Sequence, residues 1–124
     1  MVRTFSEKTD FFRPIFRGYM FLGAIINGEF WQIIFVEKYD KNLMRSDGSF
    51  TLGMTDGNTR KIYIFCDLKG DKLEKVLAHE ICHAFCFSYN VFLPIEQEEF
   101  LCEFVSKYGR EIFGVLDIFL QNFR

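Results

Sequence analysis

His79 and His83 stand four residues apart in the run His79-Glu80-Ile81-Cys82-His83, and they are the 2 histidines of the chain. On a helix, residues at that spacing lie about one turn above each other on one face. Two imidazoles so placed can grip one Zn²⁺ at roughly 2.0–2.1 Å each. Glu80, beside the first of them, can then reach a water activated by the metal and act as its general base. A catalytic zinc also needs a third protein ligand and an open position for that water. With no third histidine, the third ligand must be a carboxylate or a thiolate.

The carboxylates lie downstream, in Glu96-Gln97-Glu98-Glu99-Phe100-Leu101-Cys102-Glu103. If this segment is a helix antiparallel to the first about the loop Asn90–Leu93, His83 and Glu99 fall at nearly equal depth. Glu99 and Glu103 share a face, which suits a division of labour. Glu99 would bind the metal, and Glu103 would accept the free N–H of one imidazole, His79 above all, fixing its tautomer. The same wheel also allows Glu96, Glu99 and Glu103 to form a solvated stripe, with Glu98 turned inward as the ligand. Cys82 and Cys86, each three residues after a histidine, offer thiolates for a His/His/Cys site. A cysteine also serves as a small buried hydrophobe. The motif itself occurs by chance in helices that bind nothing, and a metal-free structural domain is the plainest alternative.

The histidines need a helix, and the pattern around them supplies one. Leu73, Val76, Leu77, Ile81, Ala84 and Phe85 follow three-and-four spacing, the period of an amphipathic helix. Asp71 is the expected N-cap, with Glu74 as its capping-box partner, and the helix should end near Tyr89-Asn90. A second helix is expected from Pro94 to Tyr108 or beyond, with acids in its first turns. A last piece, Gly109–Phe123, would be continuous with it or separate.

Strands come before the helices. Asn27-Gly28 separates two β-rich runs, Tyr19–Ile26 and Glu29–Glu37, and this pair favours a two-residue hairpin turn. The second run is apolar on both faces except at Gln32, so cover on both sides is expected. Lys41–Arg45 and Ser49–Met54 flank a further turn signal at Asp47-Gly48. Arg60–Cys66 is a β-branched and aromatic strand, and Ser6–Thr9 could start a helical turn ended by Pro14. Strands followed by helices predict an α+β domain, residues 1–124 as one unit, with a small, mostly antiparallel sheet and helices on one face.

Composition bounds the partners. Hydrophobic residues make up 49% and aromatics 19%, with 17 Phe, enough for a single packed core. The net charge of −2 comes without a basic block, so no nucleic-acid partner is expected. The apolar run Phe16–Ile26 is interrupted and too short for a bilayer span, so no membrane partner is expected either. Met1–Asp10 lacks the apolar core of a leader, and the four cysteines are not spaced as a disulfide scaffold. Reduced thiols in a cytoplasm are therefore expected. The Phe-rich stretch Ile112–Phe123 offers an apolar face for internal packing or for a second copy.

Val76–Phe85 resembles the active-site helix of zinc-dependent metallopeptidases. Glu99-Phe100-Leu101-Cys102-Glu103 resembles the third-ligand segment of gluzincins, in particular the small ImmA/IrrE-type peptidases and phage-encoded mini-gluzincins. Tyr63-Ile64 and Phe104–Gly109 are similar to the phage-type members, and the likeness covers about residues 53–112. It implies a zincin-like fold, zinc held by His79, His83 and Glu99, and Glu80 as general base. The activity implied is hydrolysis of peptide bonds in a protein or peptide substrate. By the same analogy the substrate lies extended along a sheet edge, here Arg60–Cys66 with Ile62, Tyr63 and Ile64. The chain departs from the family in two ways. The step from His83 to Glu99 is short, which requires a tight loop, and no downstream His or Arg stands ready for the oxyanion. That leaves the phenols of Tyr63 and Tyr89, and it opens a second reading, a zinc-binding module that recognises a partner without turnover.

Overall fold

The computed structural model describes the backbone of residues 15–16 and 19–123, and side chains from residue 23 to 123. The expected turn at Ser6–Thr9 lies outside the described residues. Five strands and two long helices make up the rest: β1 Ile15–Phe16, β2 Tyr19–Ile26, β3 Glu29–Val36, β4 Gly53–Asp56, β5 Lys61–Phe65, α1 Gly70–Ser88 and α2 Ile95–Gln121. A short 3₁₀ turn, Lys41–Leu43, lies between β3 and β4.

The hairpin between β2 and β3 turns on Asn27 and Gly28, both at positive φ, as a two-residue turn of this kind requires. Its register pairs Ile26 with Glu29 and Ala24 with Trp31. The strand order is β1-β2-β3-β5-β4. Three of its pairings are antiparallel, but β3 and β5 run parallel, with Ile33 beside Ile62 and Phe35 beside Ile64. The sheet is therefore mixed. The long connection from Glu37 to Arg60 carries the chain back to the start of β3 before β5 begins, which makes the parallel pairing possible. The flanks of Asp47-Gly48 do not form a ladder. They hold one isolated bridge, Met44 to Phe50, and Asp47 Oδ1 accepts from the Ser49 amide and hydroxyl, a local turn that competes with strand pairing.

One sheet face and α1 build the core. Ile26, Trp31, Ile33, Ile62 and Ile64 from the strands meet Ala84 of α1, and Leu73, Val76, Leu77 and Ile81 pack around them. Among the described elements the opposite face is left half-covered (Ile34, Val36, Tyr63, Phe65), not sheltered on both sides as the apolar β3 pattern suggests. Trp31 ties the sheet to the end of α1. Its indole N–H donates to Ser88 Oγ at 2.7 Å, and its ring meets Phe87 edge-on.

α1 starts without the expected capping box. The N-cap position is Lys69, with no side-chain cap. Asp71 lies inside the first turn, where its charge still suits the helix dipole, and Glu74 instead accepts from Arg110 Nε at 2.8 Å. Asn90, at positive φ, ends the helix, with Val91 N–H donating to Cys86 C=O, a left-handed C-terminal cap. After the four residues 91–94, α2 begins and runs unbroken to Gln121. It packs chiefly on α1, so the layers are sheet, α1, α2, and α1 is enclosed between the other two. Among the described residues, no helix is long and apolar enough to cross a membrane.

Candidate metal centre

Because α1 lies between two layers, its polar residues can face either β4 or α2. His79 and His83 face α2. Their Nε2 atoms approach one oxygen of Glu99, at 2.8 Å and 3.3 Å. The three ligand atoms, two nitrogens and one oxygen, lie within 4.8 Å of one another. Two bonds of roughly 2.0–2.1 Å at a tetrahedral angle put donor atoms about 3.3 Å apart, and these atoms are close enough together for one ion to reach all three.

The other ring nitrogens are also held. His79 Nδ1 lies 3.1 Å from a Glu103 oxygen and His83 Nδ1 lies 2.5 Å from a Glu98 oxygen. Where these outer nitrogens carry the proton of a neutral ring, Nε2 keeps a lone pair for a cation. A His₂Glu donor set with both outer nitrogens so held fits Zn²⁺.

The acids divide differently from either sequence alternative taken alone. Glu99 sits between the imidazoles, Glu103 backs His79 and Glu98 backs His83. Glu98 is thus on the outer side of a ring, and its role as a partner of His83 has no signature in the sequence beyond its place one residue before Glu99. Cys82 and Cys86 gather with Cys102 instead of with the histidines.

Charges follow this geometry. Burial alone would raise the Glu99 carboxyl, but the hydrogen bond from His79 and the charges of both histidines hold it below its ordinary value. For His83, burial opposes the charged ring, yet Glu98, Glu80 and Glu99 outweigh it and the pKa rises. The hydrogen bond with Lys107 is the main cause of the lowered Glu103 value.

Glu80 packs against β4 and is buried, and it lines the same cleft as the histidines. Thr55 Oγ1 lies 2.8 Å from its Oε1 and 3.0 Å from its backbone carbonyl. Burial raises the Glu80 pKa, and neither Thr55 nor the two histidines bring it back down. The close approach depends on Gly53, where a Cβ would fall 2.8 Å from Glu80 Cγ and 3.0 Å from Val76 Cγ1. Thr55 was not singled out by sequence reasoning. The glycines that bracket it, Gly53 and Gly57, are the one hint, since they let α1 lie close to the strand.

β4 borders the cleft, not β5. β5 is paired on both sides, with β3 and with β4, so Ile62, Tyr63 and Ile64 cannot offer the free edge expected of them. The reason is the order of the sheet: the short Gly53–Asp56 strand folds back outside β5 and takes the edge. Ile62 and Ile64 are core, and Tyr63 points to the opposite face. The cleft itself, about 1070 Å³, is lined by β4, by both histidines and Glu80, and by Glu98, Glu99 and Glu103. Neither Tyr63 nor Tyr89 lines it; Tyr89 stacks on Phe85 at 5.9 Å. Four cations do line it, Arg45, Lys72, Lys75 and Lys107.

No protein-family model, curated protein or solved structure matches this chain.

Proposed function

We propose that this α+β domain is a zinc-dependent peptidase of the zincin type, with His79, His83 and Glu99 as ligands and Glu80 as general base. The observation that carries the reading is the meeting of two anchored imidazoles and one carboxylate oxygen at the floor of an open cleft. Zinc held there would polarise a peptide carbonyl and lower the pKa of water to about 7. Glu80 takes one proton from the attacking water as the carbon–oxygen bond forms. It then passes that proton to the departing amine nitrogen as the carbon–nitrogen bond breaks. A carboxyl with a raised pKa is suited to holding that proton between the two steps. Thr55 orients Glu80 without touching the reacting atoms. The free edge of β4 gives a protein or peptide substrate in extended form a strand to pair with.

One observation favours a second reading, a zinc module that binds a partner without cleaving it: neither phenol proposed for the oxyanion lines the cleft. Glu80→Gln separates the two. If the domain is a peptidase, cleavage of an unfolded protein substrate falls by about 10²–10⁴-fold, while zinc content by elemental analysis stays at the wild-type level. Equal cleavage by E80Q refutes the base assignment, and no zinc-dependent cleavage by the wild type leaves the binding module.

A further inference from the structure

The HExxH reading does not use the cysteines, yet three of the chain's 4 meet at one point. Cys82 and Cys86 are one turn apart on α1, and Cys102 comes across from α2. Their sulfurs all lie within 4.8 Å of one another. Cys86 is 5% exposed and Cys102 is 0% exposed, whereas Cys82 is half-buried and leaves a way in. None is in a disulfide, and the fourth cysteine, Cys66, is exposed and apart. We infer that Cys82, Cys86 and Cys102 form a second, sulfur-only site for one soft d¹⁰ cation, separate from the His/Glu site, whose occupation ties α1 to α2.

Three arguments support this. First, the spacing: bonds of about 2.3 Å to sulfur at a tetrahedral angle put sulfurs about 3.8 Å apart, and the three sulfurs lie within 4.8 Å of one another. Second, the donors: three sulfurs select soft thiophilic ions, where two imidazoles and a carboxylate select a borderline one, so neighbouring sites can hold different metals. Third, the surroundings: Glu98, the carboxylate whose charge acts on Cys86 and Cys102, is already engaged with His83 Nδ1. The sulfurs are therefore left as a complete three-donor set. Burial raises the pKa of the Cys86 and Cys102 thiols. They hydrogen-bond among themselves, and each sulfur that binds a cation releases its proton to solvent. No oxidant or reductant takes part.

The test uses the full chain, kept reduced with a phosphine, and Cd²⁺ as probe. Sulfur-to-metal charge-transfer absorption should saturate at one equivalent in the H79A/H83A double variant and reach the same amplitude in the wild type, where the His/Glu site can take a further equivalent. C102S should lose that band and bind cadmium at least about tenfold more weakly, since losing a direct ligand costs no less than losing a ligand's hydrogen-bond partner. Absence of the band in the wild type, its loss in H79A/H83A, or its persistence in C102S overturns the inference. Alkylation of the wild type, read by mass spectrometry, needs no variant to fold. Cadmium should slow modification of Cys82, Cys86 and Cys102 and leave Cys66 unchanged, and equal rates at the three with and without cadmium also overturn it.

Discussion

The two halves of α2 have similar apolar content and both expose most of it (Phe100 is 71% exposed, Phe113 64%), yet they differ in their polar contacts with α1. The first half lies against α1, and its contacts run antiparallel in step: Glu98 and Glu99 reach His83, Glu103 reaches His79 and Arg110 reaches Glu74. Continuing that step brings the start of α1, Gly70, opposite residues just beyond Arg110. α1 has 19 residues and α2 has 27, so at 1.5 Å per residue the last two or three turns of α2 extend past the end of α1. There Ile118 is 61% exposed and Phe119 59%, and Phe113, level with the start of α1, is 64%. Hydrophobic residues alone therefore do not say where a helix is anchored. In α2 the anchor is a polar layer and a single buried residue, Cys102.

If that contrast holds, the largest losses come from the polar layer. Glu99→Ala removes the only acid between the imidazoles, and zinc affinity should fall by at least about a hundredfold, measured by competition with a chromogenic chelator. An unchanged affinity would move the third ligand elsewhere. Glu98→Gln and Glu103→Gln keep the shape but weaken the acceptors behind the rings, with expected losses of about 10–100-fold. Glu98 should be the more costly, because its side chain is 20% exposed against 53% for Glu103, and a less solvated acceptor has less water to replace it. The reverse order would show that the His79 side governs the site.

The sequence made some of this legible and hid the rest for physical reasons. α1 and the Asn27-Gly28 hairpin rest on local patterns, a 3.6-residue period and a turn that needs positive φ, and both are where the pattern puts them. The α+β class follows from element order. The free edge was not legible. Gly53–Asp56 is only 4 residues long, and which of two strands lies outermost depends on the path of a distant connection, not on either strand's residues. The capping box failed because Glu74 has a better partner, Arg110, 36 positions away. The choice between Glu98 and Glu99 could not be made on a helical wheel. α2 buries so little that its wheel has no sharp inner face, and each of the two acids in fact serves His83 from a different side.

A pH series tests the polar layer without a substitution. His83 has its pKa raised above the ordinary 6.5 by Glu98, Glu80 and Glu99 acting against burial. In the metal-free protein the proton on that ring therefore stabilises the fold. The contribution is fully present below pH 6.5 and is lost as pH rises through the higher folded value. Glu80, also raised, acts in the same direction. Glu99 and Glu103, both lowered, lose their contribution only as pH falls through the carboxylate range. Above pH 6 the metal-free melting temperature should fall with pH. With zinc in excess it should rise, because the metal requires the neutral rings and the proton is its competitor. Glu98→Gln should flatten the metal-free slope, and parallel slopes with and without zinc would show that the imidazoles are not its ligands.

The smallest effect belongs to the overhanging half. Phe113→Lys lies at a largely exposed position level with the very start of α1, and a lysine there takes the helix as well as the phenylalanine does. The change in unfolding free energy should stay within about 0.5 kcal/mol, as for surface sites without special contacts. Zinc affinity should not move, since the nearest acid of the polar layer, Glu103, is 10 residues earlier on the same helix. Chemical denaturation with zinc titration on the same samples checks both. A loss of several kcal/mol at Phe113 would mean that this half of α2 is held as firmly as the first, and the contrast between the halves would vanish. A neutral result leaves the anchoring of α2 to the few residues that face the histidines and the sulfurs, so that the helix carrying Glu99 is held in register largely by the polar layer it shares with α1.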